Sequence, residues 1–205
     1  MTDTNDTDRL GSIENLIIDM DGVLYRGNTL ISGAQEFIGF LREKGISFLL
    51  VTNNSTRTVR QYVTKLARMN IAVREEELLT SAEATGTYLE QVAPPGTRVY
   101  AVGEDGIELA LESRGFVLSD GTDAAYVVVG MDRQFTYAKL ATAALTIRAG
   151  AVFIGTNPDK TYPAEVGLMP GAGAMLAAIE AASGTAPLII GKPESVIFDL
   201  ALARL

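Results

Sequence analysis

The chain has 205 residues, 47% apolar and 20% charged, with 17 Lys and Arg against 25 Asp and Glu for a formal charge of −8. This is an ordinary globular composition, long enough for one large domain or two small ones, and an acidic balance without a basic run argues against nucleic-acid or anionic-membrane partners. His and Cys are absent, which excludes disulfides, thiolate or histidine-bound zinc, and every Ser-His or Cys-His mechanism.

Residues 1–11, MTDTNDTDRLG, are polar and lack an apolar h-region, so they read as a disordered tail and not a signal peptide. No apolar run reaches membrane-spanning length, and the cytoplasm is the expected location. Leu16-Ile17-Ile18 suits a strand buried on both faces of a parallel sheet. It runs into Asp19 and Asp21, which in extended chain point the same way about 6.5 Å apart. Two like charges at a strand end are costly unless a cation or a proton shares the site.

Asn28 to Ile31 reads as a loop or short flap, followed by a helix from Gly33 to Lys44. Ser32 and Gln35 have capping-box spacing there, Phe37, Ile38 and Leu41 form the inner face, and Gly45 ends the helix. Ile46 to Val51 is a second buried strand, and Thr52-Asn53-Asn54-Ser55 leads to a helix from Val59 to Met69. Thr58 and Gln61 match a second capping box, with Val59, Tyr62, Val63 and Leu66 turned inward. Leu78 to Ser81 is a brief third strand. This β-α-β-α-β start predicts a doubly wound parallel sheet.

Ala82 to Val92 reads as a helix, and Ala93-Pro94-Pro95-Gly96 as a break. Three strand-helix units follow, with strands at Arg98 to Val102, Ala125 to Gly130 and Ala151 to Thr156. Their helices are Gly106 to Arg114, Tyr137 to Ala149 and Ala172 to Ala182. Leu188 to Ile190 makes a further strand entering Gly191-Lys192-Pro193, with Pro193 suited to the first turn of a last helix. The expected division is a core of 12–81 and 187–205 around an inserted α/β unit of 82–186.

Neighbouring parallel strands end about 4.8 Å apart on one edge, where open α/β sheets bind ligands. Asp19 ends the first strand and Thr52 the second. Thr52, Asn53 and Asn54 offer a hydroxyl and amides ahead of a helix N-terminus, which is anion-binding chemistry, although alone the string reads as a turn. Lys192, between a strand and a helix start, can pair with Asp19 and with a phosphate oxygen. Asp120-Gly121-Thr122-Asp123 lacks EF-hand spacing and reads as a turn. Gly171-Ala172-Gly173 reads as close packing at a helix start, not a dinucleotide fingerprint.

In this order, DMDGVLY, VTNNS and GKP resemble the first three motifs of the haloacid dehalogenase-like hydrolase superfamily. The long insertion between the second and third resembles its C2-type cap, and VVVGMDRQFTYAKL and IGTNPDKTYPAEVGLMPGAG resemble the branch of 4-nitrophenyl, phosphoglycolate and pyridoxal phosphate phosphatases. The resemblance implies a Rossmann-like α/β core carrying an α/β cap. It implies Mg²⁺-dependent hydrolysis of small phosphomonoesters through an aspartyl phosphate, with Asp19 as nucleophile and Asp21 as acid and base. Mg²⁺ would be held by the Asp19 carboxylate and the Asp21 backbone carbonyl, and the phosphoryl oxygens by Thr52, the amide of Asn53, Asn54 and Lys192. Asn157 and Asp159 lie in the segment matching the family's specificity loop and are the substrate-side candidates, although Asn-Pro-Asp reads equally as a surface turn. Arg133 reads as solvated. A homodimer through the cap is what the family suggests.

The family's fourth motif, a Gly-Asp strand end completing the Mg²⁺ shell, is expected after the helix at Ser195 to Leu205, where the sequence stops. Glu194 and Asp199 fit a solvated helix face. The expectation is therefore a truncated or incompletely represented chain, with Leu16 to Ile18 on an open sheet edge. The alternative reading is a catalytically incomplete fragment acting as a phosphate- or metal-binding module or dimerising through the cap.

Overall fold

The computed structural model describes residues 12–121, 123–164 and 166–205. Two parallel sheets organise it. The first contains β1 (Asn15–Asp19), β4 (Ser47–Thr52) and β5 (Leu78–Thr80) in the order β1-β4-β5. Between β1 and β4 lies a short antiparallel hairpin of β2 (Tyr25–Arg26) and β3 (Thr29–Leu30), in the stretch expected as a flap. Residues alternate along β4. Phe48 and Leu50 face one side with Ile18 and Leu78, while Leu49 and Val51 face the other with Ile17 and Leu79. Both faces are thus apolar, as expected of a doubly covered parallel strand.

The first face is covered by α1 (Ala34–Glu43) and α2 (Val59–Ala67), through Ile38, Leu41, Tyr62 and Leu66. Thr58 forms the expected capping box with Gln61. The box expected at Ser32 does not form. Gly33 takes the N-cap position of α1 at φ 86°, a conformation that suits glycine, and no side chain caps that end. Phe37 is 40% exposed, so the inner face of α1 is Ala34, Ile38 and Leu41 instead.

The second sheet contains β6 (Arg98–Val102), β7 (Val117–Leu118), β8 (Tyr126–Val129), β9 (Val152–Gly155) and β12 (Leu188–Ile189), in the order β12-β9-β8-β6-β7. The strand at Leu188–Ile189 therefore adds to this sheet, beside β9, although a division at 186/187 would assign it to the other. The antiparallel hairpin of β10 (Thr161–Ala164) and β11 (Gly167–Pro170) carried no clear pattern in the sequence, because its outer strand is exposed throughout. Helices α5 (Tyr137–Arg148) and α6 (Ala172–Ser183) cover one face of the second sheet, on Val127, Val129 and Phe153.

Between the two sheets lie α3 (Ser81–Val92), α4 (Asp105–Glu112) and α7 (Ser195–Leu202). One apolar cluster runs from Val51 and Leu79 through Leu89, Ile107 and Ile197 to Val128 and Ile154, joining the two halves. Pro193 precedes α7 and does not enter its first turn, because Glu194 is the N-cap. Among the described residues β1 pairs with β4 alone, and no helix is long and apolar enough to cross a membrane.

An ion cluster around the buried Glu77 fixes the far end of the first sheet. Arg42 donates to both Glu77 oxygens at 3.0 and 2.9 Å, and the Arg74 backbone and guanidinium add 2.8 and 3.0 Å contacts. Burial works against the charged form of Glu77. The hydrogen bonds and charges of Arg42 and Arg74 outweigh it and hold the carboxyl below its usual range. A depressed folded value means that the stabilisation is fully present above the ordinary carboxylate range and is lost as pH falls through the folded value. Urea unfolding from pH 7 down to pH 3 should therefore show Glu77→Gln less stable than wild type by about 1–3 kcal/mol at neutral pH, with the gap closing as the medium is acidified.

Candidate active site

The site sits at the carboxyl ends of β1 and β4. Asp19 is the last residue of β1, level with Val51 in the register, so Thr52 lies one step further along β4. After Asp19 the chain turns on the Met20 carbonyl, which accepts from Val23, Leu24 and Tyr25, with Gly22 at φ 84°. That turn brings Asp21 back over the sheet edge.

The two carboxylates have different partners. Asp19 Oδ1 accepts from the Lys192 ammonium at 2.6 Å and from its neighbour's backbone, Met20 N, at 2.7 Å. Its side chain is 47% exposed, and no hydrogen bond to Oδ2 occurs among the described residues. Lys192 also donates to the Val51 carbonyl at 3.2 Å, which aims it along the strand ends. Asp21 Oδ2 instead accepts from two hydroxyls, Thr52 at 3.1 Å and Tyr25 at 3.5 Å. Tyr25 is fully buried, and burial, followed by the charge of Asp21, pushes its phenol far above the usual value. Tyr62 behaves likewise, for burial and then Asp21. Both phenols therefore stay protonated at ordinary pH.

The side chains of Asn53 and Asn54 are both engaged by other protein groups. Asn54 Oδ1 accepts from Thr56 N and Oγ1 at 2.9 and 2.8 Å, and Asn54 N donates to Thr52 Oγ1 at 3.1 Å. Asn53 is a junction. Its amide donates to Asp159 Oδ2 and to the Lys192 carbonyl, both at 2.9 Å. Its carbonyl accepts from Ser81 Oγ at 2.6 Å and Asn157 Nδ2 at 2.7 Å. The sequence-named residues thus meet in one place, but Asn157 is 5% exposed and faces Asn53 instead of open space.

Glycines let the halves approach. A Cβ on Gly130 would lie 2.4 Å from Ser55 Oγ, one on Gly106 2.4 Å from the Ser55 carbonyl, and one on Gly191 2.7 Å from Asn53 Oδ1. Gly171 and Gly173 pack on the backbone of Pro158, Asp159 and Lys160 as the close-packing reading requires, with Gly173 N donating to the Asp159 carbonyl at 2.9 Å. The parts played by Tyr25, Ser81, Gly106 and Gly130 escaped the sequence reading. Only Tyr25 had a visible cue, four residues from Asp21.

Arg133 is exposed but paired with Glu104, and Glu194 and Asp199 are exposed as expected. Asp132 is a buried carboxylate closed by Lys139 and the Gln134 backbone. Asp123 accepts from Ser119 and Arg98, as a turn residue would, whereas Thr122 lies outside the described residues.

A family model described as haloacid dehalogenase-like hydrolase matches residues 16–117. The acid sugar phosphatase of Staphylococcus aureus is 46% identical over 186 residues, which cover 91% of this chain and 71% of that protein. The chain belongs to the haloacid dehalogenase-like hydrolase family. Among solved structures, the p-nitrophenyl phosphatase of Archaeoglobus fulgidus is 33% identical with a TM-score of 0.89, covering 93% of this chain and 73% of that one. The glycerol phosphate phosphatase of Mycobacterium tuberculosis, solved in complex with calcium, is 33% identical at a TM-score of 0.86, covering 93% of this chain and 56% of that one. The membership places the fold among capped hydrolases, and the relatives are named phosphatases.

The Asn53 junction has a direct consequence for stability. Replacing Asn53 by Ala removes the amide that ties Asp159 to the Lys192 carbonyl, leaving the latter without that donor. Chemical denaturation should register a loss of about 1–3 kcal/mol, whereas Asn54→Ala, confined to a local turn, should cost less.

Proposed function

We propose that this chain hydrolyses small-molecule phosphomonoesters through a phosphorylated Asp19. The observation that carries the reading is the asymmetric pair at the end of β1, with an ammonium on Asp19 and hydroxyls on Asp21. Asp19 Oδ2 attacks phosphorus in line with the ester oxygen. Asp21 gives its proton to the departing oxygen, so that an alcohol leaves and Asp19 carries the phosphoryl group. Asp21, now a carboxylate, takes a proton from water as that water attacks phosphorus. Inorganic phosphate departs and Asp19 is restored. Lys192 and the backbone amide of Asn53 neutralise the phosphoryl oxygens, and Thr52 orients Asp21.

The donor set also fits a hard divalent cation. Among the described residues no group of three or more acidic side chains could hold a metal ion. Mg²⁺ is commonly bound by one or two carboxylates with several waters retained, and the Asp19 carboxylate with the Asp21 backbone carbonyl provides that. When bound, Mg²⁺ would supply charge neutralisation between the carboxylate and the phosphate dianion.

The unit containing the second sheet acts as a cap that chooses the leaving group, with Asp159 as its substrate-facing carboxylate and Asn157 as the residue that positions it. The names of the relatives favour small substrates, namely acid sugar, nitrophenyl and glycerol phosphates.

Steady-state assays with 4-nitrophenyl phosphate test the mechanism. Asp19→Asn should lower turnover by about 10³-fold or more with an unchanged thermal melt, and EDTA should abolish activity that added Mg²⁺ restores. Turnover that survives the substitution overturns the nucleophile. Equal activity without metal overturns the Mg²⁺ role.

A further inference from the structure

From Thr56 to Val73 the chain carries Arg57, Arg60, Lys65 and Arg68 and no acid. In a protein of charge −8 this is a local reversal of sign. The fold gathers these cations. Arg57, Gln61, Lys65 and Arg68 recur at intervals of three and four, so they share a stripe along α2 and its flanks. With Arg60, and with Asn28 from the turn of the β2–β3 hairpin, they line an open cavity of about 650 Å³ that has no acidic lining residue.

Neutralisation inside this groove is slight. Arg60 reaches Glu75 at 3.5 Å, and both side chains are largely exposed. Arg57, Lys65 and Arg68 have no carboxylate within ion-pair distance among the described residues. Lys65 is partly buried with its ammonium 3.5 Å from the centre of the Tyr25 ring. Burial lowers its pKa against the pull of Asp21, and Arg57 lowers it further. A desolvated ammonium held against an aromatic face, with further cations on the same wall, gains most from an anion in the cavity.

The groove lacks Asp19, Asp21, Thr52 and Lys192 from its lining. The Tyr25 ring stands between, carrying Lys65 on its face and Asp21 at its hydroxyl. We propose that the groove between α2 and the β2–β3 hairpin is a second anion site, separate from the catalytic one, for a small ligand bearing two or more phosphoryl or carboxylate groups. Four cations lining one cavity, three of them along the stripe, favour such a ligand over a single phosphate, since several contacts must share one molecule to hold it in water.

Calorimetric titration with inorganic tripolyphosphate, in EDTA and at two salt concentrations, tests this independently of any turnover. The wild-type chain should bind one equivalent at the groove, with affinity falling steeply as salt rises. Arg57→Glu combined with Arg68→Glu should weaken binding by about 100-fold, about tenfold per lost charge-assisted contact. Both arginines are exposed, so folding should survive, and a thermal melt together with the milder Arg68→Gln checks that loss of binding is not loss of fold. Lys192→Met, in the catalytic pocket, should leave this binding within about threefold, and orthophosphate should bind the groove far more weakly. Unchanged affinity in the double variant, or a loss as large in Lys192→Met, overturns the proposal.

Discussion

Two carboxylates one residue apart at the end of an apolar strand repel each other, and the site depends on how that repulsion is resolved. Each acid has its own partners. Asp19 is met by Lys192, a residue far along the chain, and Asp21 by hydroxyls of β4 and the hairpin. The parallel pairing of β1 with β4 is what permits this, because it sets Thr52 beside the strand end from which both acids emerge. A shift of one residue would turn Thr52 to the opposite face. The register is fixed by the apolar alternation beneath, where Ile17 and Ile18 face different clusters. Packing therefore decides the chemistry above it.

Lys192 reaches Asp19 only because the two halves meet closely. Gly130, Gly106 and Gly191 occupy positions where a methyl group would strike backbone or a buried polar atom. The backbone that leaves β12 passes Asn53, whose amide holds the Lys192 carbonyl while the ammonium extends to Asp19. Asn53 also holds Asp159, so one side chain sets Lys192 and the Asp159 segment together. Such a shared junction makes the nominal division into core and insertion a poor guide to mechanical independence. The apolar cluster crossing α3, α4 and α7 points the same way, since neither sheet has a hydrophobic core of its own on that side.

The sheet architecture was legible because buried parallel strands are short apolar runs with turn signals on both sides, and the acids stood out by ending one. The capping box at Thr58 was legible for the same local reason. Its twin at Ser32 had equal spacing and failed, because Gly33 adopted a left-handed conformation that began the helix differently. The β10–β11 hairpin is exposed along much of its length, and so had no alternation to announce it. The placement of β12 was not legible either, since an apolar tripeptide does not say which of two parallel sheets it joins. Asn53 and Asn54 were named as anion binders from residue type. The side chain of Asn54 instead closes a local turn on Thr56, and that of Asn53 ties the loop to partners more than a hundred residues away.

The basic stripe of α2 shows why charge counted along a chain differs from charge arranged in space. Four cations separated by two to four neutral residues make no run, and within a total of −8 they vanish. Helical periodicity places most of them on one side, and Asn28 from the hairpin turn lines the same cavity. The buried side of the same helix carries Tyr62 and Leu66 into the packing beneath the site. Helix α2 thus has two constraints on two faces. Its inner face must match the sheet. Its outer face is free of that demand, and packing against β4 does not explain why a protein this acidic would concentrate like charges there, where their mutual repulsion opposes folding. A ligand that neutralises them does.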